Sequence, residues 1–106
     1  MAEFDLNSLM GMARRMQEEL ARVQESLGQK TVEASSGGGM VTAVASGARE
    51  IVRVTIDPQA LELHDLGMLQ DLIVAACNAA LRKAQELARE EMAKATGGLP
   101  IPPGLL

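Results

Sequence analysis

The stretch from Leu66 to Ala95 contains no proline and is dominated by Ala, Leu, Glu, Lys, Arg and Gln, the residues with the best helix propensity. Asp65 stands before it as a capping residue, and Gly97 and Gly98 stop it. A helix of about 30 residues is a rod of about 45 Å, at roughly 1.5 Å per residue. A compact domain of about 100 residues has a radius of gyration near 13 Å, hence a diameter of roughly 33 Å. In a chain of 106 residues such a helix must overhang whatever it packs on.

The start of the chain carries a second helical signal. Leu6, Leu9, Ala13, Met16, Leu20, Val23 and Leu27 follow a strict 3,4 spacing, which lays one narrow apolar seam along a helix from about Leu6 to Leu27. Asp5 or Asn7 caps its start, and Gly28 is expected in the left-handed conformation just past its end. Between the two helices the period changes to alternation with Val, Thr and Ile enriched. This reads as three strands, Thr31 to Ser35, Met40 to Ala45 and Ile51 to Ile56. The connections Ser35 to Gly39 and Ser46 to Glu50 are short enough to make neighbouring strands antiparallel partners. In the third strand Val52, Val54 and Ile56 alternate with Arg53 and Thr55, so one face of the sheet is meant to be covered. Asp57-Pro58 ends that strand and opens a short helical turn.

The fold class expected is therefore α+β: an α-β-β-β-α protomer with a three-stranded antiparallel sheet and long projecting helices. Residues 1–98 form one domain, and residues 99–106 (LPIPPGLL), with three prolines in eight residues, form an extended, proline-rich tail. An overhanging helix and a helix with an apolar seam both need partners that a small sheet cannot supply. A second copy of the same chain is the expected remedy, giving a homodimer.

Composition removes several functions. With one Cys and one His there is neither a disulfide framework nor a Cys/His zinc site. With no Trp, no Tyr and only Phe4, stacking platforms for single-stranded nucleic acid cannot be built. No run of 18 uncharged apolar residues and no basic start leading into an apolar stretch is present, so neither a membrane span nor a signal peptide is expected, and the chain should remain in the cytosol. The formal charge of -4 counts against nucleic acid, because affinity for phosphate comes from Lys and Arg.

Candidate chemistry is sparse. Gly37 to Gly39 run into Met40, Val41 and Thr42 without the lysine of a phosphate-binding loop, and read as a hairpin turn. His64 stands just before a capping aspartate with no nucleophile placed nearby in sequence, as a solvent-facing loop residue. Cys77 lies among Ala75, Ala76, Ala79 and Ala80, as a small packed thiol. The methionines, Met10, Met12 and Met16 among them, serve packing or an adaptable binding surface. No pattern isolates a carboxylate pair for acid/base work, so neither an enzyme nor a cofactor is expected.

The basic residues remain. Arg15 and Arg22 are seven apart on the first helix; Arg82 and Arg89 are seven apart on the last, with Lys83 beside the first of them. Taken alone, these two stripes read best as a solvated surface in which Glu18 pairs with Arg22, Arg82 with Glu86 and Glu90 with Lys94 at i,i+4.

Five stretches in order resemble one family. They are Leu6 to Leu20 (LNSLMGMARRMQEEL), the glycine turn and strand Gly37 to Val44, Gly47 with the strand ending Val54-Thr55-Ile56-Asp57-Pro58, Asp71 to Lys83 (DLIVAACNAALRK), and Pro102-Pro103-Gly104. Together they resemble the YbaB/EbfC family of small bacterial nucleoid-associated proteins over nearly the whole chain. Where such proteins often carry an aromatic in the last helix, this chain has Cys77. The resemblance implies a tweezer-shaped dimer with outward-reaching helices that binds double-stranded DNA in the nucleoid. It carries no fixed set of contact residues. The choice of Arg14, Arg15, Arg22, Arg82, Lys83 and Arg89 as the DNA-contacting cations follows from charge and helix placement. The alternative function is a small dimeric adaptor that holds a protein of DNA repair or replication on its Met-rich and apolar helix surfaces.

Overall fold

A computed structural model describes residues 5–97. Its elements are helix α1 (Leu6–Gln29), strand β1 (Thr31–Ser36), a 3-10 turn at Gly37–Gly39, strand β2 (Val41–Ser46), strand β3 (Ile51–Ile56), a 3-10 helix (Pro58–Leu63) and helix α2 (Leu66–Ala95). The expected α-β-β-β-α order and the antiparallel sheet, in the order β1-β2-β3, are both present. The tail expected over residues 99–106 lies outside the described residues.

The molecule measures 75 × 20 × 16 Å with a radius of gyration of 19.8 Å, half as large again as a compact chain of this length needs. The elongation has a simple origin. Lys30, the residue between α1 and β1, is extended (φ -92°, ψ 146°), so α1 passes into β1 without turning back. Gly28 does not take the left-handed conformation expected of it; the helix runs two residues beyond Leu27, because a chain that continues forward needs no reversing residue. Helix α2 then retraces the path in the opposite direction. Leu72 accepts a hydrogen bond from the Ser36 hydroxyl, Lys83 reaches Glu33, and Glu91 meets Lys30 beside the root of α1.

Close approach of α2 to the sheet depends on small side chains. Its buried positions are Leu69, Ala76, Ala80, Ala84, Ala88 and Met92, and the sheet residues beneath include Ala34, Val41, Ala43 and Ala45. An i,i+4 stripe advances about 40° per step around a helix of 3.6 residues per turn, so it winds. Ala76 to Ala84 belong to the core against the sheet, while Ala88 and Met92 line a recess with Leu27 and Gly47 at the root of α1. Gly47 is required there by space: a Cβ on it would lie 2.4 Å from the Leu27 carbonyl oxygen. Its N–H donates to the Lys30 carbonyl at 2.9 Å, which ties the β2–β3 turn to the end of α1.

Each cap has a visible cause. Asp5 accepts from the Asn7 N–H, Asp57 from Gln59 and Asp65 from Met68. His64 closes the 3-10 helix with a left-handed backbone (φ 51°) and is exposed, a loop histidine as expected. Cys77 is half-buried against the margin of the core rather than enclosed in it. Gly37, Gly38 and Gly39 all have positive φ, and they make the hairpin turn expected of them.

Strand β3 differs from its sequence reading. Val54 and Ile56 pair with Ala43 and Val41 and share the face turned to α2, but a bulge follows: Val44 pairs with Arg53 and Ala45 with Ile51. Ile51, not Val52, therefore continues the inward set, and Val52 is the extra residue. Helix α2 lies over β1 and β2 and scarcely touches β3. In consequence Val52 is 54% exposed and Ile51 and Val54 37% each.

Candidate nucleic-acid interface

The described residues include all ten cations of the chain, and their surroundings divide them. Four are engaged by carboxylates. Arg22 donates to Glu19, Arg89 to Glu86 at 3.2 Å, and Glu91 receives both Lys30 at 3.3 Å and Lys94 at 3.7 Å. The pairs within one helix are i,i+3, not the i,i+4 pairs Glu18–Arg22, Arg82–Glu86 and Glu90–Lys94 read from the sequence. Both spacings bring side chains to one helix face, so the rows were legible while the choice between neighbouring carboxylates was not. The hydrogen bond and charge of Glu19 raise the Arg22 pKa further above its usual range, and the Lys30 ammonium holds the Glu91 carboxyl below its ordinary value.

Lys83 is occupied differently. Its Nζ donates to the Glu33 backbone carbonyl at 2.9 Å, on the outer edge of β1. An ammonium placed on an edge carbonyl blocks that edge to another strand. A signal for this was present in the sequence: Lys83 directly precedes buried Ala84 and follows buried Ala80 by three, so it flanks the inner stripe. Arg82, one step further round, is exposed and has no hydrogen-bond or carboxylate partner among the described residues.

Arg14 and Arg15, neighbours on the exposed half of α1, are likewise without a partner among the described residues. Two further arginines share this state and had no place in the sequence reading of the interface. Arg49 has a left-handed backbone (φ 65°) in the turn between β2 and β3, and Arg53 stands on β3, on the sheet face turned away from α2. The six chosen cations thus divide three ways: Arg14, Arg15 and Arg82 have no partner among the described residues, Arg22 and Arg89 are paired with a neighbouring carboxylate, and Lys83 is held to the sheet.

Among the described residues no three His, Cys, Asp or Glu side chains converge as metal ligands, and no helix is long and apolar enough to cross a membrane. Recesses beside Met92 and beside His64 are open; the first mixes Gln24 and Arg49 with apolar groups, and the second is lined mainly by apolar groups.

Two long helices on a three-stranded sheet, each of zero net charge and each carrying arginines untied among the described residues, define a small, elongated α+β protein. Comparison with known proteins gives the class a family. Residues 1–99 match the YbaB/EbfC DNA-binding family. A nucleoid-associated protein of Thermoanaerobacter pseudethanolicus is 52% identical over 99 residues, 93% of this chain and 89% of that one. A nucleoid-associated protein of Acetivibrio thermocellus is 52% identical over 101 residues, covering 95% and 89%. The crystal structure of an uncharacterized Helicobacter pylori protein superposes with a TM-score of 0.76 at 28% identity, covering 91% of this chain and all of that one. The chain belongs to the YbaB/EbfC DNA-binding family.

Proposed function

We propose that this protein binds double-stranded DNA as a component of the bacterial nucleoid, acting as a homodimer that grips phosphates with its helical arms. The observation that carries this reading is the set of helix arginines left without a carboxylate among the described residues: Arg14 and Arg15 on α1 and Arg82 on α2. In a chain with four more acidic than basic residues, cations free of neighbours are the ones able to replace counterions on a duplex. Phosphate contacts of this kind position a protein without reading sequence, so similar affinity for unrelated duplexes is expected.

The dimer rests on β3. Its inward face is left largely uncovered by α2, and Leu61 and Leu63 in the following 3-10 helix are 63% and 48% exposed. The β1 edge is blocked by Lys83 while no side chain among the described residues bonds across the β3 edge, so the β3 side is the one left open to a second copy. Light scattering on the purified protein at micromolar concentration tests this: a dimer is expected, with Val54→Asp shifting it toward monomer. A stable, folded monomer of the parent protein would refute the dimer.

A salt titration of duplex binding tests the function. Micromolar or tighter binding that weakens steeply with salt supports phosphate contact. No binding at low salt would overturn it and favour an adaptor that holds a repair or replication protein.

A further inference from the structure

The seam of α1 is covered only at its root. Leu27 is 3% exposed, Val23, Leu20 and Met16 are half-buried, and Leu9 and Leu6 rise to 42% and 68%. The gradient follows from where α2 stops. Helices α1 and α2 run antiparallel, and Ala95, in the last turn of α2, lines a groove with Met12, Met16, Arg15 and Glu19 of α1. Beyond that level α1 continues alone, with Met10 53% and Met12 58% exposed beside the seam. A free apolar stripe on a lone helix calls for a cover.

We infer that the chain's own last residues, 98–106, cover this part of α1 within the same protomer. Three observations favour that occupant. The first is position: Ala95 lines the groove, Thr96 is buried, and Gly97 follows with a left-handed backbone (φ 65°), so the described chain ends two residues past the groove. The second is composition. The sequence GLPIPPGLL has no charged side chain and four large apolar ones, Leu99, Ile101, Leu105 and Leu106, which suits a floor of Leu and Met. The third is reach. Nine residues in a polyproline-like path span about 28 Å, at about 3.1 Å each. From the level of Met16 to Leu6 along α1 is about 15 Å. Three prolines also reduce the conformational entropy lost on docking, and the tether gives the segment a high local concentration at the groove.

Disulfide trapping in the full-length chain tests the inference, with Cys77→Ala as the background. Leu9→Cys with Ile101→Cys joins the seam to the segment. Asn7→Cys with Ile101→Cys is the comparison, since Asn7 lies at the same level on the opposite face of α1. Under mild oxidation the seam pair is expected to close an intrachain bond roughly tenfold faster than the Asn7 pair, as held contact raises local concentration above that of a loose tether. Equal rates would overturn the inference. A disulfide between protomers would overturn it too, and would give the seam to the second copy. A second measurement does not depend on the cysteine variants folding. Removing residues 98–106 should raise the fluorescence of 1-anilinonaphthalene-8-sulfonate by uncovering Leu6 and Leu9. An unchanged or lower signal, as expected when an undocked apolar segment is lost, would refute the docking.

Discussion

The division of the cations into free and engaged sets makes the salt dependence of DNA binding a quantitative test. On the two long helices, Arg14, Arg15 and Arg82 give three cations untied among the described residues of each protomer, six per dimer. If each neutralises one phosphate, the slope of log affinity against log salt is about 0.9 × 6, or roughly 5, and a fourfold rise in salt weakens binding about a thousandfold. Arg82→Ala removes two contacts per dimer and should lower the slope by about 1.8, so that the same rise in salt costs only roughly a hundredfold. Lys83→Ala should leave the slope nearly unchanged, because that ammonium is spent on the Glu33 carbonyl. Arg22→Ala is expected to change it less than Arg15→Ala, since Glu19 must be displaced before Arg22 can serve a phosphate. The assay is fluorescence anisotropy with two unrelated duplexes of equal length, at four or more salt concentrations, with circular dichroism to confirm folding. An unchanged slope for Arg82→Ala and for Arg14→Ala/Arg15→Ala, together with a flattened one for Arg53→Ala, would refute the arm-directed reading. The duplex would then lie across the sheet face that carries Arg53.

Three further outcomes follow from packing and charge. Ala80→Leu forces a bulky side chain between α2 and β2 and should destabilise by about 1–3 kcal/mol, or roughly 4–8 °C in Tm for each kcal/mol, measured by thermal denaturation; an unchanged Tm would mean that α2 can lift from the sheet without loss. Gly47→Ala places a methyl against the Leu27 carbonyl and should likewise cost about 1–3 kcal/mol, whereas Gly38→Ala, which meets nothing within 4 Å, should lose only what its positive φ (66°) imposes. The Glu91 carboxyl is held below its ordinary value of 4.5, so its contribution to stability is complete above that pH and is lost as pH falls through its own lower pKa. Glu91→Gln should therefore lower stability slightly at neutral pH, leave it little changed at the acid end, and so flatten the fall below about pH 4.5, read by urea denaturation across pH.

How much of this was legible beforehand depended on whether the deciding interaction was local. The bounds of α2 were set by Asp65 and by the glycines after Ala95, and both signals act within four residues. The strands followed from alternation, and the triple glycine from the positive φ that a tight connection demands. Gly28 failed as a helix stop because that role depends on the chain reversing, and the direction taken after α1 is set by β1 joining the sheet. The β3 bulge was hidden for a similar reason: Ile51-Val52-Arg53-Val54 satisfies two registers equally, and the choice is made by pairing with β2.

For the interface the same distinction decides which arginines count. Charge and spacing placed six cations on the helices, but whether a cation is free depends on what lies beside it in three dimensions. Glu33 is fifty residues from Lys83, and no periodicity connects them. Acidic balance and DNA binding are also reconciled at this level. Six of the fourteen carboxylates are committed within the chain: Glu19, Glu86 and Glu91 hold cations, and Asp5, Asp57 and Asp65 cap helices. Phosphates meet local potential rather than the sum of charges: at a Debye length of about 8 Å at physiological salt, Arg14 and Arg15 are influenced by Glu18 and Glu19 one turn away but little by carboxylates farther along a 75 Å molecule. An elongated shape thus lets two helices of zero net charge present unpaired arginines in an acidic chain; folded into a sphere, the same arginines would lie nearer the remaining carboxylates.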